Sequence, residues 1–572
     1  MSAPSVTGAG ARLRELYEQE WAWRVRELGD QSMGVAGPVE SFLPDVSADA
    51  QQQREQRWQA VLDAVTAIPR EELTPTEQVD LDVYSDQLRT LLTRQRFRMY
   101  TRPVNADSSF WSDLAMRSAR RQLETEEDVR AYLDQLAQIP RYFRQQTQNM
   151  RAGLARGFAP PRVTMAGREA PVRTVAQATD PADVPYLAPL ATLPASIPEA
   201  TRRTLAAEAE RLVRDAVVPA YGELLAFLTE EYLPALPEAI AAHDQPDGEA
   251  FYAAQLREFT TTDLTPQEIF DIGTAEVAAI RAEMAEVAAE VGFAGDVDGL
   301  LAHMRTDPRF YATTPRGLLA EAAYVCKKFD GVVHRYFGRL PTQRFGIEEP
   351  PADVAPYYTF GRGAPDRYIL NTYNLPARPL YSLPALTLHE SAPGHSFQTS
   401  LALELDQPDF RRQIYISAYG EGWALYCERL GVEMGIYETP YEHMGMLSFQ
   451  MWRAARLVVD PGMHALGWSR ERAQDFLRRN TAIAEHEIVT EIDRYIAWPG
   501  QAAAYYLGQL TIQRLRREAE ETLGERFSLR DFHDAVLGLG SVPLDVLEAE
   551  IGRHVAARAA GSGARGGHAG GR

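Results

Sequence analysis

Cysteine is scarce in this chain, and long apolar runs are missing. The two cysteines, Cys326 and Cys427, are too few for a disulfide framework or a cysteine-rich zinc knot. Charged residues interrupt every long apolar run, so none reaches the ~20 residues that a membrane-spanning helix needs. The first residues also lack the basic segment and apolar stretch of a signal peptide. We therefore expect a reducing, cytoplasmic setting and no membrane partner.

Positive charge is also in deficit. The 59 Lys and Arg residues face 79 Asp and Glu residues, which leaves a net charge of −20. Such a balance disfavours nucleic acid as the main partner, because affinity for phosphate backbones depends on clustered cations. The 572 residues, 45% of them hydrophobic, can bury a large core and are enough for two or more domains.

Helical periodicity is the main secondary-structure signal in the sequence. Thr74–Glu77 and Thr265–Glu268 each combine an N-cap threonine, a first-turn proline and a glutamate that completes a capping box. Apolar spacing predicts further helices over residues 126–154, 200–232, 265–291, 315–337, 411–433, 470–486 and 500–522. The pattern predicts a mostly α-helical fold with a small β-sheet near the catalytic residues.

Three segments depart from the helical pattern. Residues 159–198, rich in Pro, Ala and Thr, suggest long surface loops, and residues 561–572 suggest a disordered tail. Asp366–Asn374 alternates like a strand. We expect a helical N-terminal lobe over residues 1–250, a catalytic lobe over 251–555 and a disordered tail over 556–572.

The sharpest chemical motif joins His389-Glu390 to His395. A hydrolytic zinc site needs neutral imidazole ligands, an open position for water and a carboxylate that can take the proton of that water. The common pattern places two histidines four residues apart on one helical face, but here the interval is six residues. On a regular helix that interval puts the second ring ~240° away. Pro393-Gly394 could break the helix and return His395 to the metal; otherwise the two histidines never meet.

A third ligand is available downstream. Glu421 and Glu428 both follow the second histidine on a predicted helix, and glycines flank Glu421. We favour Glu421 as the ligand because its neighbours permit close approach. Glu428, two turns further along the same face, is the alternative ligand or a hydrogen-bond partner of one.

Later segments supply hydrogen-bond donors that an oxyanion intermediate would need. His464 follows a Pro-Gly pair, and Arg494, Tyr495 and Tyr505 surround another. Each also suits a structural role, in a salt bridge, in the core or at a helix start. A second His-Glu pair, His486-Glu487, lacks a partner histidine and indicates a solvated helix face.

Four blocks resemble the bacterial domain-of-unknown-function 885 family: HESAPGHSFQ, YGEGWALYCERL, VVDPGMHALGWSRERA and EIDRYIAWPGQAAAYYLG. That family is similar in outline to helical zinc carboxypeptidases and oligopeptidases. The resemblance implies a two-lobed helical fold with a deep cleft and one zinc ion on its floor. It implies His389, His395 and Glu421 as ligands, Glu390 as base, and His464, Arg494 and Tyr505 as substrate or oxyanion contacts.

The leading hypothesis is a zinc-dependent hydrolase of short peptides. A non-peptide amide is an alternative substrate, since the water chemistry is the same, and an inactive binding protein is a third possibility. An exposed edge at Asp366–Asn374 could bind an extended peptide as an added strand; alternatively the strand pairs only internally. The sequence does not indicate an oligomeric state.

Overall fold

The computed structural model describes residues 8–29, 39–352 and 355–560, and most of them are helical. The chain divides into two compact units. One comprises Met1–Phe251 and Ile496–Trp498, and the other comprises Tyr252–Tyr495 and Pro499–Arg572. The predicted mostly α-helical fold with a small sheet is confirmed. The deep cleft stays a prediction.

The described residues of the first unit form helices and connecting loops, with an isolated β-bridge between Val104 and Ser109. Its α-helices are α1 Gly8–Leu28, α2 Ala48–Thr66, α3 Pro75–Arg96, α4 Phe110–Ala119, α5 Glu126–Ala137, α6 Ile139–Ala155, α7 Ala170–Ala176, α8 Glu199–Leu212, α9 Val218–Phe227 and α10 Leu233–Ala235, and α11 Gly248–Thr260 contains the division between the units. Single π-helical turns at Val213–Val217 and Leu228–Tyr232 extend α8 and α9. Short 3₁₀ helices lie at Arg70–Glu72, Met99–Thr101 and Ala242–Asp244.

The prediction of surface loops over residues 159–198 was wrong. Besides α7, the segment forms 3₁₀ helices at Arg162–Met165, Pro181–Asp183 and Pro185–Thr192. The backbone N–H groups in the first turn of a helix make no hydrogen bond within the helix, so proline, which has no N–H, is favoured there. The prolines of this segment therefore start short helices. Tyr186 is buried in the core, where its carbonyl accepts a hydrogen bond from Tyr132 and its hydroxyl bonds that of Tyr221, both at 2.8 Å.

The second unit contains His389, Glu390 and His395. Its α-helices are α12 Pro266–Glu290, α13 Val297–Thr306, α14 Pro315–Tyr336, α15 Leu383–Glu390, α16 His395–Leu403, α17 Asp409–Arg412, α18 Ser417–Glu433, α19 Pro440–His464, α20 Arg470–Asn480, α21 Glu485–Ala497, α22 Ala504–Leu523, α23 Leu529–Leu537 and α24 Leu544–Ala560. Short 3₁₀ helices lie at Pro308–Phe310, Ala355–Tyr357, Leu375–Ala377, Leu380–Ser382, Gln501–Ala503 and Gly524–Arg526.

Glycines bring α18 against α22 at backbone distance. A Cβ atom on Gly422 would lie 2.5 Å from the backbone of Gly508, and one on Gly508 would lie 1.9 Å from the carbonyl oxygen of Ala418. No side chain larger than hydrogen fits there. This contact fixes the position of α18, which carries Glu421 and Glu428.

The sheet has three short strands, β1 Gly346–Glu348, β2 Gly361–Ala364 and β3 Arg367–Leu370, in the order β1-β3-β2. β3 confirms the strand predicted within Asp366–Asn374. It pairs in parallel with β1 and antiparallel with β2, so both of its edges are used. The hypothesis that this strand offers a free edge to a peptide is therefore wrong, and internal pairing is confirmed.

Helix starts that carry a capping signal were predicted closely. Both predicted capping boxes are present, with the glutamate side chain returning to the N-cap backbone at Thr74 and Thr265. The predicted helix over 411–433 begins only at Ser417, and the one over 470–486 ends at Asn480. α24 continues to Ala560, so residues 556–560 are helical and that part of the tail prediction was wrong. Residues 561–572 lie outside the described residues.

Candidate metal centre

The break between α15 and α16 returns His395 to the first histidine. α15 ends at Glu390, and α16 begins at His395 after four residues that include a cis Ala392–Pro393 bond. The break predicted at Pro393-Gly394 is thus confirmed. Gly394 is needed for close approach, since a Cβ atom there would lie 1.9 Å from the carbonyl oxygen of His389. The indole of Trp423 donates a 2.8 Å hydrogen bond to the Pro393 carbonyl, which ties the break to α18.

His389, His395 and Glu421 converge. One ligand atom from each lies within 4.8 Å of the others, and the two imidazole rings stand perpendicular with centroids 4.8 Å apart. Glu421 Oε2 lies 3.5 Å from His389 Nε2 and 3.3 Å from His395 Nε2. The structure therefore brings together the three residues that the sequence predicted as ligands.

Tyr415 holds the other oxygen of Glu421. Its hydroxyl donates a 2.9 Å hydrogen bond to Glu421 Oε1, which leaves Oε2 directed at the two histidines. Gly420 makes room for this tyrosine, since a Cβ atom there would lie 2.4 Å from the Tyr415 ring. Tyr415 precedes α18 and belongs to no recognisable motif, so sequence reasoning missed it.

Glu428 lies behind the histidine pair rather than among the converging ligand atoms. It is fully buried, and its Oε1 accepts a 2.8 Å hydrogen bond from His389 Nδ1. Gln450 donates to its other oxygen at 3.4 Å, and an Arg453 nitrogen lies 3.7 Å from Oε1. A carboxylate that accepts the second ring N–H fixes the tautomer of a ligand histidine and raises its basicity.

The electrostatics of the cluster favour a cation. Burial lowers the pKa of His389, but hydrogen bonds to Glu421 and Glu428 outweigh it and raise that pKa to about 9. Burial raises the pKa of Glu421, yet the two histidines hold it well below its usual value. The carboxylates therefore stabilise a positive charge between them. A metal ion at this position would compete with the proton on His389.

Glu390, the predicted base, is half-buried and lies beside the sheet. The backbone N–H of Gly363 in β2 donates a 2.8 Å hydrogen bond to Glu390 Oε2. β2 approaches so closely that a Cβ atom on Gly363 would lie 1.9 Å from the Glu390 carbonyl oxygen and 2.7 Å from His395 Cβ. The sheet thus holds the carboxylate through a backbone donor, which the sequence did not reveal.

His464 lies elsewhere in the second unit. It is buried at the end of α19, where its Nε2 lies 2.9 Å from the Tyr495 carbonyl oxygen and its ring packs 5.2 Å from that of Tyr252. At 1.5 Å per residue, it lies roughly 16 Å along the helix from Arg453, which approaches the ligand network. The structure does not bring His464 to the three ligands.

Arg494 and Tyr505 belong to a polar group around Glu491 and Arg456. Arg494 lies 3.4 Å from Glu491 and donates a 2.8 Å hydrogen bond to Gln501. The ring of Tyr505 packs 4.4 Å from the guanidinium carbon of Arg456. Burial raises the pKa of Tyr415 well above its usual value, and the nearby Glu421 and then Tyr505 add to the effect.

Arg453 and Arg456, which the sequence reasoning did not single out, are almost fully buried on α19. Two arginines spaced three apart on an otherwise apolar helix face were the available signal.

Within the described parts of the chain, no helix is both long and apolar enough to span a membrane.

Two solved structures share the fold. The crystal structure of "the putative lipoprotein from Colwellia psychrerythraea" superposes with a TM-score of 0.88 at 26% identity, covering 96% of this chain and 100% of that one. A "putative lipoprotein of unknown function from Shewanella oneidensis" superposes with a TM-score of 0.68 at 16% identity, covering 96% and 99%. The second likeness shows the fold alone. No curated protein matches the chain.

The four sequence blocks lie within a much longer family match, which spans residues 28–551 and so includes the whole candidate centre. The chain belongs to the family described as bacterial protein of unknown function (DUF885).

Proposed function

We propose that this protein is a zinc-dependent hydrolase that cleaves short peptides with a water molecule activated beside Glu390. One observation carries the proposal. His389, His395 and Glu421 converge from α15, α16 and α18, and Glu390 directly follows the first of them in the chain. Two imidazoles and one carboxylate are a common protein ligand set of catalytic zinc.

The spacing between the Glu421 carboxylate and each imidazole fits one zinc ion. Zinc–ligand bonds of ~2.0–2.1 Å in a tetrahedron place neighbouring donor atoms roughly 3.3–3.4 Å apart. The two distances from Glu421 Oε2 to the histidine nitrogens are 3.5 and 3.3 Å. His389 also has the carboxylate partner on its second nitrogen that ligand histidines usually have. The same donors could hold other divalent transition metals.

Zinc at this site would act as a Lewis acid and lower the pKa of water, so that hydroxide forms near neutral pH. Glu390 would accept a proton from the attacking water and deliver it to the leaving amine. Gly363 N–H holds the carboxylate in place while it does so. Tyr415 and Glu428 hold Glu421 and His389 in their ligand orientations.

Metal analysis joined to a substrate screen tests the proposal. The purified protein should contain about one zinc per chain, and a mixed peptide library followed by mass spectrometry should show cleavage that a chelator stops and zinc restores. His389→Ala should lose both metal and cleavage, whereas His486→Ala, a substitution of an exposed histidine, should keep both. Metal without any peptide cleavage would favour the non-peptide amide. Absence of bound metal at saturating zinc would overturn the proposal.

A further inference from the structure

Three arginines form a cluster beside the candidate metal centre. Arg453 and Arg456 lie one turn apart on α19, and Arg494 lies on α21. We call these three residues the arginine cluster. Guanidinium groups are planar forks that match carboxylates with two parallel hydrogen bonds.

The arginines of the cluster lie close to buried or half-buried carboxylates. Arg456 donates to Glu491 Oε2 at 3.0 Å, and Arg494 approaches the same oxygen at 3.4 Å. Arg453 approaches Glu428 at 3.7 Å, but that carboxylate already accepts from His389. Glu491 is therefore a carboxylate that two of these guanidinium groups share.

Some donors of the cluster have no acceptor among the described residues. Arg456 NH1 and Arg453 Nε are buried without a hydrogen-bond partner there. Tyr505, whose ring packs against Arg456, is half-buried. Buried donors are normally satisfied in folded proteins, so the group is short of acceptors.

The cluster is open to solvent on one side and near the ligands on the other. The side chain of Arg494 is 24% exposed and that of Glu491 14% exposed. Arg453 lies against Glu428, the carboxylate that accepts a hydrogen bond from His389, and Arg456 follows one turn later. This places the cluster on the order of 10 Å from Glu428. That distance corresponds to about three residues of extended peptide.

We propose that Arg494 and Tyr505, backed by Arg456, bind the free C-terminal carboxylate of the substrate peptide. This inference rests on the proposed function and narrows it. A carboxylate supplies negative charge and acceptor atoms beside Arg456 and Arg453, whose buried donors NH1 and Nε have no partner among the described residues. The scissile bond then lies within about three residues of the C-terminus, so the protein releases short C-terminal fragments and leaves internal bonds of long chains intact.

Binding of matched peptides tests the inference separately from hydrolysis. The probe is a tripeptide and tetrapeptide library prepared in two forms, free acid and C-terminal amide, each with and without N-acetylation. Size-exclusion affinity selection with the Glu390→Gln protein measures retention of each form. We expect free acids to be retained about 10- to 100-fold better than amides, with no effect of acetylation. Equal retention of acids and amides, or retention of neither, would overturn the inference.

Two variants connect the preference to the cluster. Arg494→Gln should abolish the preference for acids, and in the otherwise intact enzyme it should raise KM for acids more than it lowers kcat. Tyr505→Phe should weaken the preference about 3- to 10-fold. Arg478→Gln is the matched control, because Arg478 is exposed and pairs with Glu485. Thermal unfolding of each variant confirms that the fold is retained. A preference for acids that persists in folded Arg494→Gln would exclude this residue as the binding group.

The outcomes separate the two proposals. Acids retained selectively but never cleaved would support the carboxylate site and reject the peptidase. Zinc-dependent cleavage of acids and amides at equal rates would support the peptidase and reject the carboxylate site.

Discussion

His389 and Glu428 are joined by a 2.8 Å hydrogen bond between Nδ1 and Oε1, deep in the second unit where Glu428 is fully buried. The contact assigns different positions to the two glutamates that the sequence left as alternatives. Glu421 faces the Nε2 atoms of both histidines, while Glu428 holds the opposite nitrogen of one of them. The proposed ligand is therefore Glu421, and Glu428 orients the histidine.

Substitutions at these glutamates should differ in their effect on metal affinity. Glu421→Ala removes a proposed ligand and should abolish stoichiometric zinc binding. Glu428→Gln keeps the side-chain shape but loses the carboxylate and should weaken binding by ~10–100-fold. Competition with a chromophoric chelator measures both, with Glu433→Gln as a control on the same helix. Equal or reversed losses for the two variants would contradict the assignment.

The approach of β2 to Glu390 leaves no room for a side chain. Gly363→Ala would place Cβ 1.9 Å from a backbone oxygen, so it should lower the free energy of unfolding by about 1–3 kcal/mol or more. It should also weaken metal binding, because His395 Cβ lies in the same direction. Gly331→Ala in α14 meets nothing within 4 Å and should be neutral or stabilise by ~0.5–1 kcal/mol. Chemical denaturation measures both, and equal stabilities would refute the close approach.

A buried carboxylate away from the metal predicts a pH dependence of stability. Burial raises the pKa of Asp460 to about 7, although hydrogen bonds from Tyr252 and Gly500 oppose the shift. The folded protein therefore holds this proton more tightly than the unfolded chain does. Its contribution to stability is fully present below the ordinary pKa of 3.8 and is lost as pH rises to about 7.

Asp460→Asn should remove this dependence, which amounts to on the order of 4 kcal/mol between those pH values. Asn keeps an oxygen that accepts from Tyr252 and Gly500. Denaturation curves from pH 4 to 8 compare the variant with wild type and with Asp263→Asn, whose aspartate is 95% exposed. A slope in Asp460→Asn as steep as that of wild type would show that another group is responsible.

Local signals made the convergence of the three proposed ligands predictable. Each signal lies within a few consecutive residues and has a direct physical meaning. They are the His-Glu pair, the Pro-Gly break in the helix and the glycines beside Glu421. The supporting groups carry no such signal, because Tyr415, Gly363 and Arg456 reach the site only through tertiary packing. The resemblance to the family implied that His464 contacts the substrate or an oxyanion. In the structure it lies at the end of α19, away from Arg453 of the same helix, which approaches Glu428. Its catalytic role and the cytoplasmic location stay predictions.

The predictions of the fold were correct where the helical periodicity and the capping residues agreed. They were wrong where the structure of a segment depends on the strands or core that it packs against. Capping boxes at Thr74 and Thr265 depend on four consecutive residues, and both formed. Whether β3 is an edge or a central strand depends on β1 and β2, which are only three and four residues long. The proline-rich segment around Tyr186 folds because its apolar side chains find a core that the local sequence cannot display.

The most direct test of the account is Glu390→Gln, measured for zinc content and for turnover in parallel. Gln retains the size of the side chain and an oxygen that can accept from Gly363, but it cannot take a proton from water. We predict zinc content equal to wild type and peptide cleavage reduced by ~10²–10⁴-fold or more. Wild-type turnover in a zinc-loaded Glu390→Gln protein would contradict the proposed mechanism.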